Sequence, residues 1–161
     1  MKVFEEECVL NSESTVRVVF RVYGAMGVNT PLLEWSAISD LISSANKFNF
    51  VSVKSSANVI RGYVSFEKLS ELILKISKSN AYSREIFVSA VEHSNNLKEI
   101  AQIISQVKKC NLKNKDDDFR KLPNIYTSDP IRFLNLLDEF DVKRTSIYEE
   151  ICQTMTSPHL K

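Results

Sequence analysis

Glycine is scarce in this chain, three residues in 161, and it comes with four prolines, two histidines and a single tryptophan. No phosphate-binding loop can be found among so few glycines, and neither histidine has a cysteine or acid at metal-ligand spacing. No nucleophile motif replaces them, so the sequence calls for no cofactor, no metal and no catalytic residue. Cys8, Cys110 and Cys152 are odd in number and far apart, which excludes a disulfide framework and a zinc ribbon and leaves reduced thiols as the expectation. Long apolar runs are missing as well. None would span a bilayer, and the amino terminus turns acidic at Glu5, Glu6 and Glu7 where a secretory signal would be apolar. An intracellular protein, cytoplasmic or nuclear and without a membrane partner, is therefore expected.

What is present fits a globular chain: 43% hydrophobic and 25% charged residues, enough for one main domain with a core. The formal charge of +1 is unevenly spread. From Thr15 to Cys110 twelve Lys or Arg stand against seven Asp or Glu, a local excess of five positive charges. A mildly basic middle permits a polyanionic partner without requiring one.

Alternation marks the strands. Val16–Tyr23 sets Val16, Val18, Phe20 and Val22 against Arg17, Val19, Arg21 and Tyr23, and Val59–Phe66 sets Ile60, Gly62, Val64 and Phe66 against Val59, Arg61, Tyr63 and Ser65. Two further strands are read at 48–54 and 86–91, the latter placing Phe87 opposite Ile86 and Val88. Helical spacing marks the rest. Thr30 and Pro31 open a helix reaching about Ala45, another covers about 67–78 with Leu69, Leu72, Ile73 and Ile76 inward, and Asn96 with Glu99 is a capping box heading a third. After a polar stretch carrying Asp116, Asp117 and Asp118, read as solvated rather than metal-binding, Asp129–Pro130 and Ser146 with Glu149 start two short helices. Ile131, Leu134, Leu137 and Phe140 are expected inward on the first, and Ile147, Ile151 and Met155 on the second.

The order βαββαβ with helices on one face predicts an α+β, ferredoxin-like sandwich with an antiparallel sheet, followed by a C-terminal helical hairpin. The expected division is an amino-terminal arm (1–14), the ferredoxin-like domain (15–110), a linker (111–127) and the hairpin (128–157). On the uncovered sheet face the pattern would gather Arg17, Arg21, Tyr23, Arg61, Tyr63 and Phe87. Guanidinium groups interleaved with rings suit single-stranded nucleic acid, through phosphate pairing and base stacking.

The segment GYVSFEKLSELILKI resembles the passage from third strand to second helix in RNA-recognition-motif domains. From Val16 to about Ser105 the chain is also similar to the nuclease domain of the rolling-circle (HUH-type) replication initiators of circular single-stranded DNA viruses. Val59 and Arg61 stand at the positions of that family's two metal-binding histidines, and Ile100 and Ile103 at those of its nucleophilic tyrosine and a lysine. The resemblance thus implies a catalytically dead copy, a viral non-enzymatic protein that binds single strands. The competing expectation is a protein-interaction or scaffold module acting through self-association (a homo-oligomer) or a host protein, motivated by the near-neutral charge, the acidic amino terminus and the apolar stripe of the final helices.

Overall fold

The computed structural model describes residues 2–12, 17–28, 36–79, 85–116, 118 and 120–156, and these described residues build six helices and eight strands. Helix α1 (Lys2–Leu10) precedes strand β1 (Arg17–Val22), the two-residue β2 (Ala25–Met26), α2 (Ala37–Phe48) and β3 (Phe50–Val53). Next come β4 (Val59–Ser65), α3 (Phe66–Lys78), β5 (Glu85–Ala90), β6 (His93–Asn96) and α4 (Leu97–Lys108). Strands β7 (Asn111–Asn114) and β8 (Asn124–Tyr126) lead to α5 (Ile131–Glu139) and α6 (Ile147–Met155). The Thr30–Pro31 helix start, Trp35, Asp117 and His159 lie outside the described residues.

The strands do not form one antiparallel sheet. β1 pairs with β5 in parallel, Arg17 opposite Glu85 through Val22 opposite Ala90. β3 pairs with β7, also in parallel. β4 takes the antiparallel β6 along one edge and, on the other, β8 beside Val59–Arg61 and then β2 beside Val64–Ser65, both parallel to it. The ferredoxin-like expectation is therefore corrected: β1 and the strand at 59–65 are not neighbours, and parallel pairing dominates. Alternation states which residues share a face of a strand but not which strand lies alongside or in which direction. The decisive partners β2, β7 and β8 are two to four residues long, too short to show any period.

Two cores result. One collects Ile38, Leu41 and Ile42 of α2, Val51 and Val53 of β3, Ile100 and Ile104 of α4, and Ile151 of α6. The other joins Leu69, Leu72 and Ile76 of α3, Ile86 and Val88 of β5, and Phe133 and Leu137 of α5. The last two helices therefore enter different cores and do not form a separate hairpin, which corrects that expectation too. Their register is also partly different: Phe133 is fully buried while Ile131 is exposed, and on α3 Ile73 is exposed. The stretch 111–127, read as a linker, contributes β7 and β8, and the arm contains α1.

Local signals hold where a backbone donor had to be satisfied. The Asn96 and Ser146 capping boxes are both complete, with Glu99 and Glu149 returning to the cap backbone. Asp129 accepts from the Ile131 N–H at 2.9 Å. Among the described residues no helix is long and apolar enough to cross a membrane.

Candidate functional site: a tyrosine-lined cleft at the carboxyl end of β1

β1 and β5 carry Arg17, Arg21 and Phe87 on one face, as their register requires, and α1 lies over them. Arg21 donates through Nε and Nη2 to the Glu6 carboxylate, both at 2.7 Å, while its guanidinium sits 4.7 Å above the centre of the Phe87 ring. The Glu6 hydrogen bond raises the Arg21 pKa from its ordinary value. Arg17 turns its Nη1 to the Leu10 carbonyl at the end of α1. Arg21 and Phe87 are thus in contact and Arg17 shares their face, but Glu6 takes the Nε and Nη2 edge of Arg21 and the end of α1 takes Nη1 of Arg17.

Beyond Val22 the chain leaves the sheet at Tyr23, whose ring meets that of Tyr126 with centroids 4.9 Å apart and planes inclined by 59°. Tyr126 ends β8 and is half exposed. Between α1 and the open side of β1 runs a cleft of about 710 Å³, whose lining includes Glu5 and Glu6 of α1 and Val18, Phe20, Arg21, Tyr23 and Tyr126. That size suits a small-molecule ligand. In open parallel α/β sheets, ligands lie outside the carboxyl ends of the strands, and the tyrosine pair stands at that end of β1.

Arg61 and Tyr63 are elsewhere. Arg61 lies opposite Tyr126 in register and spends its Nη1 on the Ile60 and Asn124 carbonyls, both at 2.9 Å, and on Asn124 Oδ1 at 3.1 Å. Tyr63 is only 4% exposed, and burial pushes its phenol up to about 12 against a smaller opposing effect of Arg61. The single accessible face expected to unite Arg17, Arg21, Arg61 and Tyr63 is thus absent. β4 is a central strand covered on both sides, so from Gly62 to Ser65 every residue is buried and alternation no longer separates core from solvent.

A second ensemble escaped the sequence reading altogether. Lys68, in the first turn of α3, reaches Glu92 Oε1 at 2.7 Å and Glu150 Oε1 at 2.9 Å. Thr145 bridges Lys68 to Glu150 through its hydroxyl. Side chains of both carboxylates are at most 2% exposed, and the second oxygen of each lacks a partner. His93, opposite Tyr63 on β6, lies 3.8 Å from Glu92. Burial lowers its pKa, against the raising effect of Glu92. The ensemble ties α3, the β5–β6 turn and α6 together. Among the described residues no group of His, Cys, Asp and Glu is arranged to hold a metal ion.

Comparison with known proteins explains the parallel pairing. No family model matches the chain, and no curated protein matches it. Solved structures do. An epimerase from the methanogen Methanothermobacter thermautotrophicus superposes with a TM-score of 0.67 at 14% identity, covering 96% of this chain and 46% of its own. A GDP-L-fucose synthetase from Naegleria fowleri, bound to NADP, gives 0.66 at 17%, covering 96% and 48%. An NAD-dependent NDP-hexosamine 5,6-dehydratase of tunicamycin biosynthesis gives 0.65 at 10%, covering 94% and 48%. The fold is thus Rossmann-like, shared with these structures, and the chain spans just under half the length of these proteins. This overturns the resemblance to replication-initiator nucleases and RNA-recognition motifs, and with it the viral, non-enzymatic, nucleic-acid-binding reading, since the neighbours are an epimerase, a GDP-L-fucose synthetase and a dehydratase.

A dinucleotide needs a glycine-rich turn whose N–H groups, at a helix N-terminus, cradle the pyrophosphate. The described residues do not supply one. Gly24 and Gly27 follow β1, but the Gly27 N–H donates to Thr154 Oγ1 at 2.8 Å, and a Cβ there would fall 1.9 Å from Glu67 Oε2. At Gly24 the space is taken by the Tyr63 ring. A carboxylate and a phenol ring occupy the ground where a pyrophosphate would need donors, so no step through the dinucleotide is assigned to these residues.

Proposed function

We propose that this chain is the substrate-recognising portion of a sugar-nucleotide epimerase- or dehydratase-type enzyme, and that the sugar lodges in the cleft at the carboxyl end of β1. The observation that carries the reading is the Tyr23–Tyr126 ring pair, its Tyr126 half exposed, at the end of β1 where open α/β sheets receive ligands. A pyranose ring has an apolar face that packs on an aromatic ring and hydroxyls that need partners. Val18 and Phe20 provide an apolar floor along the cleft. Arg21 gives its Nε and Nη2 edge to Glu6 and lies face-on over the Phe87 ring, which leaves its Nη1 edge for a hydroxyl. The reaction type rests on the fold likeness, while the binding role rests on the cleft.

Titration calorimetry with UDP-glucose and UDP separates the sugar from the nucleotide. UDP-glucose should bind more tightly than UDP, and Tyr126→Ala and Tyr23→Ala should each erase the difference. Equal affinity of the two ligands for the parent chain, or a preference that survives both substitutions, overturns the reading.

A further inference from the structure

The outer face of the β3–β7 pair lies apart from the cleft and has no assigned role. Val51 and Val53 point into the core, so alternation turns Phe50, Ser52 and Lys54 outward. In the parallel register Ser52 stands beside Lys113, and Lys54, just past Val53, beside Lys115. Lys54, Lys113 and Lys115 therefore line one depression of about 320 Å³, with Ser52, Val53 and Asn114, at the carboxyl ends of two parallel strands.

None of the three has a carboxylate partner among the described residues. The contrast with Lys68 and Lys75, both ion-paired, is informative because like charges brought together in one depression repel unless an anion joins them. Of the described acids nearby, Asp118 is captured by Arg120 at 2.9 Å, and Asp116 makes no ion pair with a described residue. A fourth ammonium, that of Lys98, is anchored on the Lys115 carbonyl at 2.6 Å. At the other end of the same face the Phe48 and Phe50 rings stack with centroids 5.9 Å apart, and Lys113 extends its Nζ to 4.9 Å from the centre of the Phe50 ring. Phe48 is 64% exposed.

We infer that the outer face of β3 and β7 binds a nucleoside diphosphate, the base on the Phe48–Phe50 platform and the phosphates among Lys54, Lys113 and Lys115. Four strand rises separate Phe50 from Lys54, roughly 13 Å at the usual spacing, comparable with the reach of such a ligand from base to terminal phosphate. Stacking on a phenylalanine pair tolerates any base, so the face reads an aromatic head and a polyphosphate tail and not a particular nucleobase. The site goes beyond the sugar cleft and shares no residue with it.

Calorimetry of the full chain with ADP, UDP, inorganic pyrophosphate, sulfate and uridine tests this. Both diphosphates should bind, pyrophosphate more weakly, and sulfate and uridine not measurably. The double variant Lys54→Ala, Lys115→Ala should lose at least tenfold in affinity for ADP. Phe50→Ala should weaken ADP while sparing pyrophosphate, and Tyr126→Ala should leave ADP binding unchanged. Thermal unfolding of the lysine variant should match the parent, since both side chains are exposed. Sulfate binding as well as pyrophosphate, uridine binding as well as UDP, or an unaffected lysine variant overturns the proposal. If Tyr126→Ala abolishes diphosphate binding and the lysine variant does not, the phosphates belong to the cleft, and the sugar reading stands without this one.

Discussion

The surroundings of β4 and those of β1 use the same chemistry, carboxylate against cation, to opposite ends. Around β4 the Lys68–Glu92–Glu150 ensemble is shut away from water, and its geometry has to be maintained because each charge is uncompensated without the others. Along β1 the Arg21–Glu6 pair is bidentate but lies at the surface, Arg21 being 47% exposed in its side chain, where solvent screens it. The first arrangement locks three segments of chain into one frame. The second leaves a cleft open beside it. A rigid centre and an adaptable margin are what a ligand-binding fold requires, with positioning drawn from the closed part and access from the open one.

Lys68→Ala is the strongest way to break this contrast. Removing the ammonium leaves two buried carboxylates facing one another, and unfolding in urea should show a loss of about 3–5 kcal/mol. Arg21→Ala should leave the urea midpoint where it was. Comparable losses in the two variants would mean that burial does not distinguish the pairs as argued. Next in size comes Gly27→Ala. Gly27 has φ of +130°, a conformation an L side chain rarely adopts, and its missing Cβ makes room for the Glu67 carboxylate. Glu67 can swing aside, but the backbone cannot relax so easily, and a cost of about 1–3 kcal/mol is expected. An alanine variant as stable as the parent would show that the β2 loop is not held by the closed frame.

How much of this was legible depends on whether the signal is local. Capping boxes are local: Asn96 with Glu99 and Ser146 with Glu149 announce themselves in four residues, and both are formed. Ser146→Ala should therefore cost about 1 kcal/mol, read as a shift in thermal midpoint that Asp substitution largely restores. The inward stripes of α3 and α4 were legible too, from Leu69, Leu72, Ile76, Ile100 and Ile104. Strand pairing was not, because β1 and β4 both alternate and nothing in their residues says that the first takes β5 and the second β2, β6 and β8. Of the candidate site, alternation placed Arg17 and Arg21 on one side of β1, but that Phe87 lies beside them depends on the β1–β5 pairing, which no local signal announces. Tyr126 could not, lying in a three-residue strand within a stretch that resembles a linker. Lys68, Glu92 and Glu150 are assembled from positions 24 and 58 residues apart. Charged residues at such spacing look like any solvated face until the topology folds them inward.

The smallest expected effect concerns His93, at the border between the closed ensemble and the surface. The groups facing it are Glu92 beside it in the chain, Lys68 from α3 and Glu150 from α6, with Tyr63 opposite on β4. Burial dominates and holds the imidazole below its ordinary value of 6.5, so the folded chain favours the neutral ring. Between the depressed folded value and 6.5 the unfolded chain binds more protons, and stability must rise with pH across that window. The contribution is thus complete above about 6.5 and is lost as the pH falls through the folded value. Urea unfolding from pH 5.5 to 8 should show a plateau at the alkaline end and a decline toward acid. In His93→Gln the decline should be shallower, leaving only the carboxylates to titrate further down. Stability that increases toward acid in this range, or parent and variant curves that run parallel, would place His93 outside the closed frame and move the boundary between the two regions to the other side of β6.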